Sequence, residues 1–178
     1  EFKAELGEMI NHLYNCPCIA LWVIFNEGWG QFDAKKMYDY VLSLDKTRTV
    51  DHASGWHDQG ISDVRSDHVY FRKYKLRRDK KGRAVLLSEF GGYNHRVQGH
   101  AFNKKDFGYK RFEMPTQLKL AIEELYQNEI RPAKQQGLAA AVYTQLSDVE
   151  DELNGLVTYD RKIVKVAPEE MRSILVLD

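Results

Sequence analysis

Two glutamates carry the strongest chemical signal in this sequence of 178 residues. Glu27 follows the apolar stretch Leu21-Trp22-Val23-Ile24-Phe25 and Asn26, with Gly28 after it; Glu89 follows Val85-Leu86-Leu87-Ser88 and precedes Phe90-Gly91-Gly92. Each stands where an apolar run gives out, and the glycines beyond it let a ligand come close to the backbone. One such glutamate is usually a solvated loop residue, so the pair is more informative than either member. Two facing carboxyl groups can run glycoside hydrolysis, one protonating the leaving oxygen while the other attacks or activates water. That division needs opposite environments: burial beside an aromatic such as Trp29 favours the protonated form of one, and hydrogen-bond donors hold the other ionised. Aromatic faces at such a cleft stack on the apolar face of a sugar ring. Trp22, Trp29, Trp56, Tyr70 and Tyr143 are candidates, Trp22 being expected in the core.

The elements that must position these residues alternate along the chain. Residues 1–14 show helical spacing, with Phe2, Leu6, Met9, Ile10 and Leu13 on one stripe, and Pro17 ends that helix. Residues 19–25 form a continuous, partly β-branched apolar run, as expected of a strand buried on both faces of a parallel sheet. An amphipathic helix is expected over 33–44, then short strands over 47–52, 67–71 and 84–89. A long helix is expected over 116–131, between Pro115 and Pro132. A fifth strand is expected over 138–145 and a last helix over 167–175. Strands alternating with amphipathic helices predict α/β architecture with a parallel sheet, whose working residues gather at the carboxyl ends of the strands.

Composition narrows the classes. Lys plus Arg and Asp plus Glu both total 26, so no global charge recruits nucleic acid, an anionic membrane or an acidic substrate. With 43% hydrophobic and 12% aromatic residues the composition is globular, and the length suits one domain over 1–178. The longest apolar run is far too short to span a bilayer. Cys16 and Cys18 flank a proline at a spacing that suits neither a disulfide framework nor a zinc knuckle. The segment reads as soluble, with no sequon to argue for secretion; its compartment stays open, cytoplasmic being favoured over secreted. The first residue is not Met, and the chain reads as beginning inside a larger protein.

The residues on either side of the two glutamates resemble the catalytic barrel of glycoside hydrolase family 2, the group of β-galactosidases, β-glucuronidases and β-mannosidases. Cys18-Ile19-Ala20-Leu21-Trp22-Val23-Ile24-Phe25-Asn26-Glu27-Gly28-Trp29-Gly30 resembles the family's fourth barrel strand with its Asn-Glu pair. Leu86-Leu87-Ser88-Glu89-Phe90-Gly91-Gly92 resembles the seventh strand, and Ala141-Val142-Tyr143-Thr144-Gln145-Leu146-Ser147-Asp148 the eighth. The stretch Asn154-Gly155-Leu156-Val157-Thr158-Tyr159-Asp160-Arg161 is similar to the segment after that eighth strand in bacterial members. The resemblance implies strands four to eight of a TIM (β/α)8 barrel, incomplete in this chain. It implies a retaining β-glycosidase, β-galactosidase-like in the first instance, with Glu27 as acid/base and Glu89 as nucleophile. Asn26 would bind the sugar 2-hydroxyl, and His68-Val69-Tyr70 resembles a sixth-strand motif whose tyrosine holds the nucleophile ionised. Tyr143 falls where the family usually has a tryptophan lining the sugar, and Gln145 points from the same strand end; Trp29 and His52 complete the expected sugar-binding set.

No organic cofactor and no metal ligand set is implied within this chain, although family β-galactosidases hold a magnesium ion near the acid/base through residues upstream. Five strands cannot close a barrel, so residues 19–25 and 138–145 are expected to leave sheet edges open for self-association, and the fragment alone to be weakly active or inactive. Other readings carry less. Eight basic residues against one acidic over 72–83, interleaved with Tyr74, could suit a nucleic-acid surface but are expected to form a solvated loop, leaving a carbohydrate as the partner. Asp51, His52, His57, Asp58, Asp63, Asp67 and His68 match no standard metal motif. The non-enzymatic alternative is a carbohydrate-binding or scaffold module of barrel origin.

Overall fold

The computed structural model describes residues 1–107 and 110–176. The chain divides into two compact units, Glu1–His68 with Arg78–Ser88, and Val69–Arg77 with Glu89–Asp178.

In the first unit, α1 (Phe2–Leu13) is followed by β1 (Leu21–Asn26), α2 (Ala34–Leu44) and β2 (Thr49–Ser54). β1 and β2 are parallel, Trp22 standing opposite Val50 and Asn26 opposite Ser54. A helical crossover between them is what a parallel pair requires. The core joins Leu6 and Ile10 of α1, Trp22, Ile24 and Phe25 of β1, Met37 and Val41 of α2, and Val50 and Ala53 of β2. β1 departs from the expected two-sided burial, because Val23 is 43% exposed on the face opposite Trp22 and Ile24.

Asp45, just beyond α2, ties this layer together. Its carboxylate accepts hydrogen bonds from Trp22 Nε1 at 2.9 Å, Thr47 Oγ1 at 2.6 Å and Arg48 Nη1 at 2.7 Å. Arg48 in turn donates to the Tyr14, Cys16 and Ile19 carbonyls between α1 and β1. Thr47 and Arg48 are thereby committed to the turn, and β2 begins two residues later than the sequence spacing predicts. Burial alone would raise the Asp45 pKa, yet the bonds from Thr47, Trp22 and Arg48 outweigh it and hold the carboxyl well below the usual range.

β3 (Val64–Val69) and β4 (Ala84–Gly91) pass from the first unit into the second, β5 (Leu138–Thr144) lies in the second, and the hydrogen-bonded order is β3-β4-β5. β3 starts three residues before its expected position because its inward positions are polar. Ser66 and His68 face a buried network, so Val-Arg-Ser-Asp-His-Val carries no apolar alternation. Among the described residues, neither the β2–β3 nor the β3–β4 connection contains a helix. They are pinned by charge instead, Arg83 pairing with Asp58 at 2.5 Å and Asp79 at 2.8 Å.

In the second unit the helix between β4 and β5 is longer than predicted and is interrupted. α3 (Pro115–Leu125) leads through a π-helical turn (Tyr126–Ile130) into α4 (Arg131–Gln135). Pro132 lies in the first turn of α4, where its missing N–H costs nothing, so the helix continues past it. Leu118, Ile122, Tyr126 and Ile130 form the buried stripe. In β5, Ala139, Ala140 and Val142 are exposed, so this strand is covered even less than β1. α5 (Pro168–Leu175) closes the described chain.

Candidate active site

Glu27 is the residue immediately after β1. Its backbone takes a left-handed conformation, φ 56°, which non-glycine residues rarely adopt and which functional sites often hold. Its N–H donates to the Ser54 carbonyl at 2.8 Å, continuing the β1–β2 pairing one step beyond the strand, and its carbonyl accepts from Gln31 Nε2 at 2.7 Å. The side chain is thereby turned toward β3, where Glu27 Oε1 lies 2.9 Å from His68 Nδ1. His68 is enclosed and Glu27 nearly so, with side-chain exposures of 0% and 13%. The other ring nitrogen of His68, Nε2, lies 2.9 Å from Ser54 Oγ, and Ser54 Oγ donates to Ser88 Oγ at 2.8 Å. Gly55, at φ 85°, leaves room for the imidazole, since a Cβ there would fall 2.5 Å from the ring.

The remaining first-unit candidates differ in placement. Asn26 is exposed at the last position of β1. Trp29 is 79% exposed and so does not supply the burial expected for a protonated Glu27; an imidazole stands beside the carboxyl instead. His52, expected to line the sugar, is fully buried: Gln59 N–H donates to Nε2 at 3.1 Å and Nδ1 meets Ser62 Oγ. Its ring supports β2 and the loop after it, and burial holds its pKa below the ordinary histidine value. Asp51 lies next to it, pushed up by burial while Ser66 and Ser62 donate to its two oxygens.

In the second unit Glu89 occupies the carboxyl-terminal part of β4. The Tyr70 hydroxyl, from the residue just after β3, donates to Glu89 Oε2 at 2.5 Å and lies 3.1 Å from Thr144 Oγ1 at the end of β5. The loop carrying Tyr70 is anchored by the π-helical turn, where Glu129 Oε2 accepts the Tyr74 N–H at 2.6 Å. Tyr143 packs its ring edge against Phe90, centroids 5.7 Å apart, and covers Gly91, where a Cβ would meet the ring at 2.3 Å. Burial pushes its phenol far above the ordinary value, so Tyr143 shapes the strand under Glu89 more than it offers a polar edge. Gln145 donates from Nε2 to Glu152 Oε2 at 3.1 Å and to Asn154 Oδ1 at 2.7 Å. The loop holding that cluster is locked from behind by buried Lys165, which donates to Asp148 Oδ1 at 2.7 Å and to the Leu153 carbonyl at 2.8 Å.

Two residues here have no role in the sequence reading. His68 figures in the sequence in a motif valued for Tyr70 and among acids and histidines that match no metal motif, and nothing in its spacing reveals that its ring meets Glu27. Glu152 reads as one of several loop acids, yet it is half-enclosed beside Gln145. Burial raises its pKa, Asn154 and Gln145 pull it back, and the charge of Glu89 raises it further. The electrostatic link between Glu152 and Glu89 depends on folding and leaves no trace in local composition.

Chemically, the second unit offers a carboxyl group with a phenolic O–H aimed at it. The first unit offers a carboxyl in contact with an imidazole nitrogen, an arrangement suited to holding and releasing a proton. Magnesium prefers an all-oxygen octahedron, and a glutamate already bonded to an imidazole does not fit it, so no step is assigned to that ion. Among the described residues no helix is long and apolar enough to cross a membrane.

The model of the glycosyl hydrolases family 2, TIM barrel domain, matches residues 3–169. Among solved structures, a Faecalibacterium prausnitzii beta-glucuronidase is similar in fold, with a TM-score of 0.59 and 18% sequence identity over 97% of this chain. The chain spans 33% of that structure's own chain. No curated protein matches. With the family model covering nearly every residue, the chain belongs to glycosyl hydrolase family 2, within its TIM barrel domain.

Proposed function

We propose that this chain is the part of a retaining β-glycosidase barrel that carries strands four to eight, with Glu27 as acid/base and Glu89 as nucleophile. The observation that carries the reading is the contrast between their partners: Glu89 accepts from the Tyr70 phenol, whereas Glu27 meets a ring nitrogen of His68. In the first step Glu89 attacks the anomeric carbon, the glycosidic bond breaks toward the leaving oxygen, and Glu27 gives that oxygen a proton. In the second, Glu27 takes a proton from water, which displaces Glu89. Asn26 and Gln145, at strand ends, hold the sugar hydroxyls. A retaining reaction requires the two carboxyl groups about 5–5.5 Å apart when a glycoside is bound.

The favoured substrate is a β-linked neutral hexoside, as a β-galactosidase takes. Glu152 supports this choice over a uronide, because a sugar carboxylate would meet a second negative charge beside that of Glu89. The activity is that of the full-length protein; the 178 residues alone are expected to turn over slowly or not at all. The test is a panel of aryl β-glycosides against the full-length protein, followed by a fluorosugar trap and mass spectrometry of the labelled peptide. Label on Glu89 with retained-configuration product is expected; label elsewhere, or an inverted product, overturns the assignment.

A further inference from the structure

We infer that Ser54 and Ser88 fix the tautomer of His68 so that Glu27 and His68 together hold one transferable proton. The inference rests on the acid/base reading of Glu27 and goes beyond it, because it assigns positioning roles to three residues that do not react.

Proton accounting along one chain of hydrogen bonds inside the first unit leads to this tautomer. Ser88 Oγ lies 3.4 Å from the Asp67 carbonyl, which can only accept, so the Ser88 hydroxyl donates there. Ser88 can then only accept from Ser54, 2.8 Å away, and this uses the one proton of Ser54. Ser54 must therefore accept from its other neighbour, His68 Nε2, at 2.9 Å, and Nε2 carries a hydrogen. With Nε2 protonated, the 2.9 Å contact between His68 Nδ1 and Glu27 Oε1 contains a proton in either of two forms. Either a neutral imidazole accepts from the carboxylic acid of Glu27, or an imidazolium donates to its carboxylate. The pair is neutral in both, and the proton is on the side where the leaving oxygen needs it.

The opposite tautomer would have the reverse effect. A neutral ring with hydrogen on Nδ1 would donate to Glu27 and favour an ionised glutamate with nothing to give. On β2 and β3, Asp51 accepts from Ser62 and Ser66, and Asp67 pairs with Arg65 at 2.8 Å. Gly55 and the enclosure of His68 keep the ring from turning to exchange its nitrogens. When the glycosidic bond breaks, its electron pair stays on the leaving oxygen. The proton passes there from Glu27, and His68 Nε2–H remains on Ser54 throughout.

Two measurements on the full-length protein test this. In 15N-histidine-labelled protein, with the His68 signals identified by their loss in His68→Asn, Nε2 should carry a hydrogen. A bare Nε2 with hydrogen on Nδ1 overturns the inference. In kinetics, Ser54→Ala and Ser88→Ala each release the constraint on the ring. General acid catalysis is worth about 100- to 10,000-fold, so a partial loss should lower kcat/KM about 10-fold or more for alkyl glycosides, whose leaving groups need the proton. Dinitrophenyl glycosides, which leave unaided, should change by less than about 3-fold. Ser54→Thr, which keeps the hydroxyl, should restore the alkyl glycosides. Equal losses for both substrate classes would mean a merely structural role and overturn the inference, as would no loss for either. Wild-type protein that turned over no glycoside would instead remove the acid/base reading, while the 15N measurement would still report the tautomer.

Discussion

Glu27 follows β1 and Glu89 lies near the carboxyl end of β4, yet the first unit and the second surround them with different chemistry. Glu27 stands on a left-handed backbone with a buried imidazole at 2.9 Å, whereas Glu89 lies within β4 and receives a phenolic O–H at 2.5 Å. An imidazole can supply or accept a proton near neutral pH, whereas a phenol keeps its proton there and offers the carboxylate a hydrogen bond. The difference fits the unlike tasks proposed for these two like side chains, and it lies in one neighbour each. The largest expected effect breaks the comparison outright. Glu89→Gln in the full-length protein should lower kcat by about 10,000-fold or more, since no covalent intermediate can form. Glu27→Ala should cost about 100- to 10,000-fold, and azide should restore part of that by attacking the glycosyl enzyme to give a β-glycosyl azide. Azide rescue of the Glu89 variant with a retained product, and none for Glu27, would exchange the two roles.

Tyr70→Phe sharpens the comparison by removing only the donor to Glu89. A hydrogen bond to a charged group is worth about 1.5–3 kcal/mol, which corresponds to a loss of about 10- to 100-fold in kcat/KM. The loss should fall on the first chemical step, read by pre-steady-state release of the aryl group. Tyr70→Phe with an unchanged first step would show that Glu89 does not depend on the phenol.

The two units also differ in how a buried carboxylate stabilises them. In the first unit Asp45 gathers Trp22, Thr47 and Arg48; in the second Asp148 pairs with a buried lysine, and burial pushes Asp148 up and Lys165 down toward neutrality. Asp45 is held below its ordinary pKa. Its stabilisation is therefore complete above the usual carboxylate range and is lost as pH falls through the depressed value. Asp45→Asn should cost about 2 kcal/mol at neutral pH and flatten the acid side of the stability curve, measured by urea unfolding across pH. An unchanged curve would mean that the Arg48 contacts to the Tyr14, Cys16 and Ile19 carbonyls hold this layer without Asp45.

Legibility in the sequence divides along the same line between apolar and polar surroundings. β1 and β4 are legible because each is built on an apolar run; Glu27 stands just past the end of β1, whereas β4 continues beyond Glu89 through buried Phe90 and Gly91. β3 is displaced from its expected position because Ser66 and His68 point inward to polar partners, and inward polar residues mimic a loop. Pro132 reads as a stop because the rule assumes a regular helix, which the π-helical turn at Tyr126–Ile130 replaces. Trp29 is expected from sequence to bury Glu27, and His52 to face a sugar. Their actual exposure and enclosure depend on how loops fold back, which periodicity does not encode. The contact between His68 and Glu27 joins residues 41 apart, and that between Tyr70 and Thr144 residues 74 apart. Only packing brings such pairs together, although a resemblance carries some of them over as motifs.

The smallest effect concerns the sugar and not the bond. Glu152 is half-enclosed, accepts from Gln145 Nε2 and feels the charge of Glu89. A glycoside bearing its own carboxylate near Gln145 would add a third negative charge to that group, and a neutral hexoside would not. Glu152→Gln keeps the size and an acceptor oxygen while removing the charge. It should raise the ratio of kcat/KM for an aryl β-glucuronide to that for an aryl β-galactoside by about 10-fold, equivalent to about 1.4 kcal/mol of removed repulsion. Because burial raises the Glu152 pKa, its ionised form is costly above the ordinary carboxylate range. The variant should therefore also gain a little stability at neutral pH and none in acid. A wild-type protein that already prefers the glucuronide, or a ratio that does not move with Glu152, would place the discrimination elsewhere in the full-length protein.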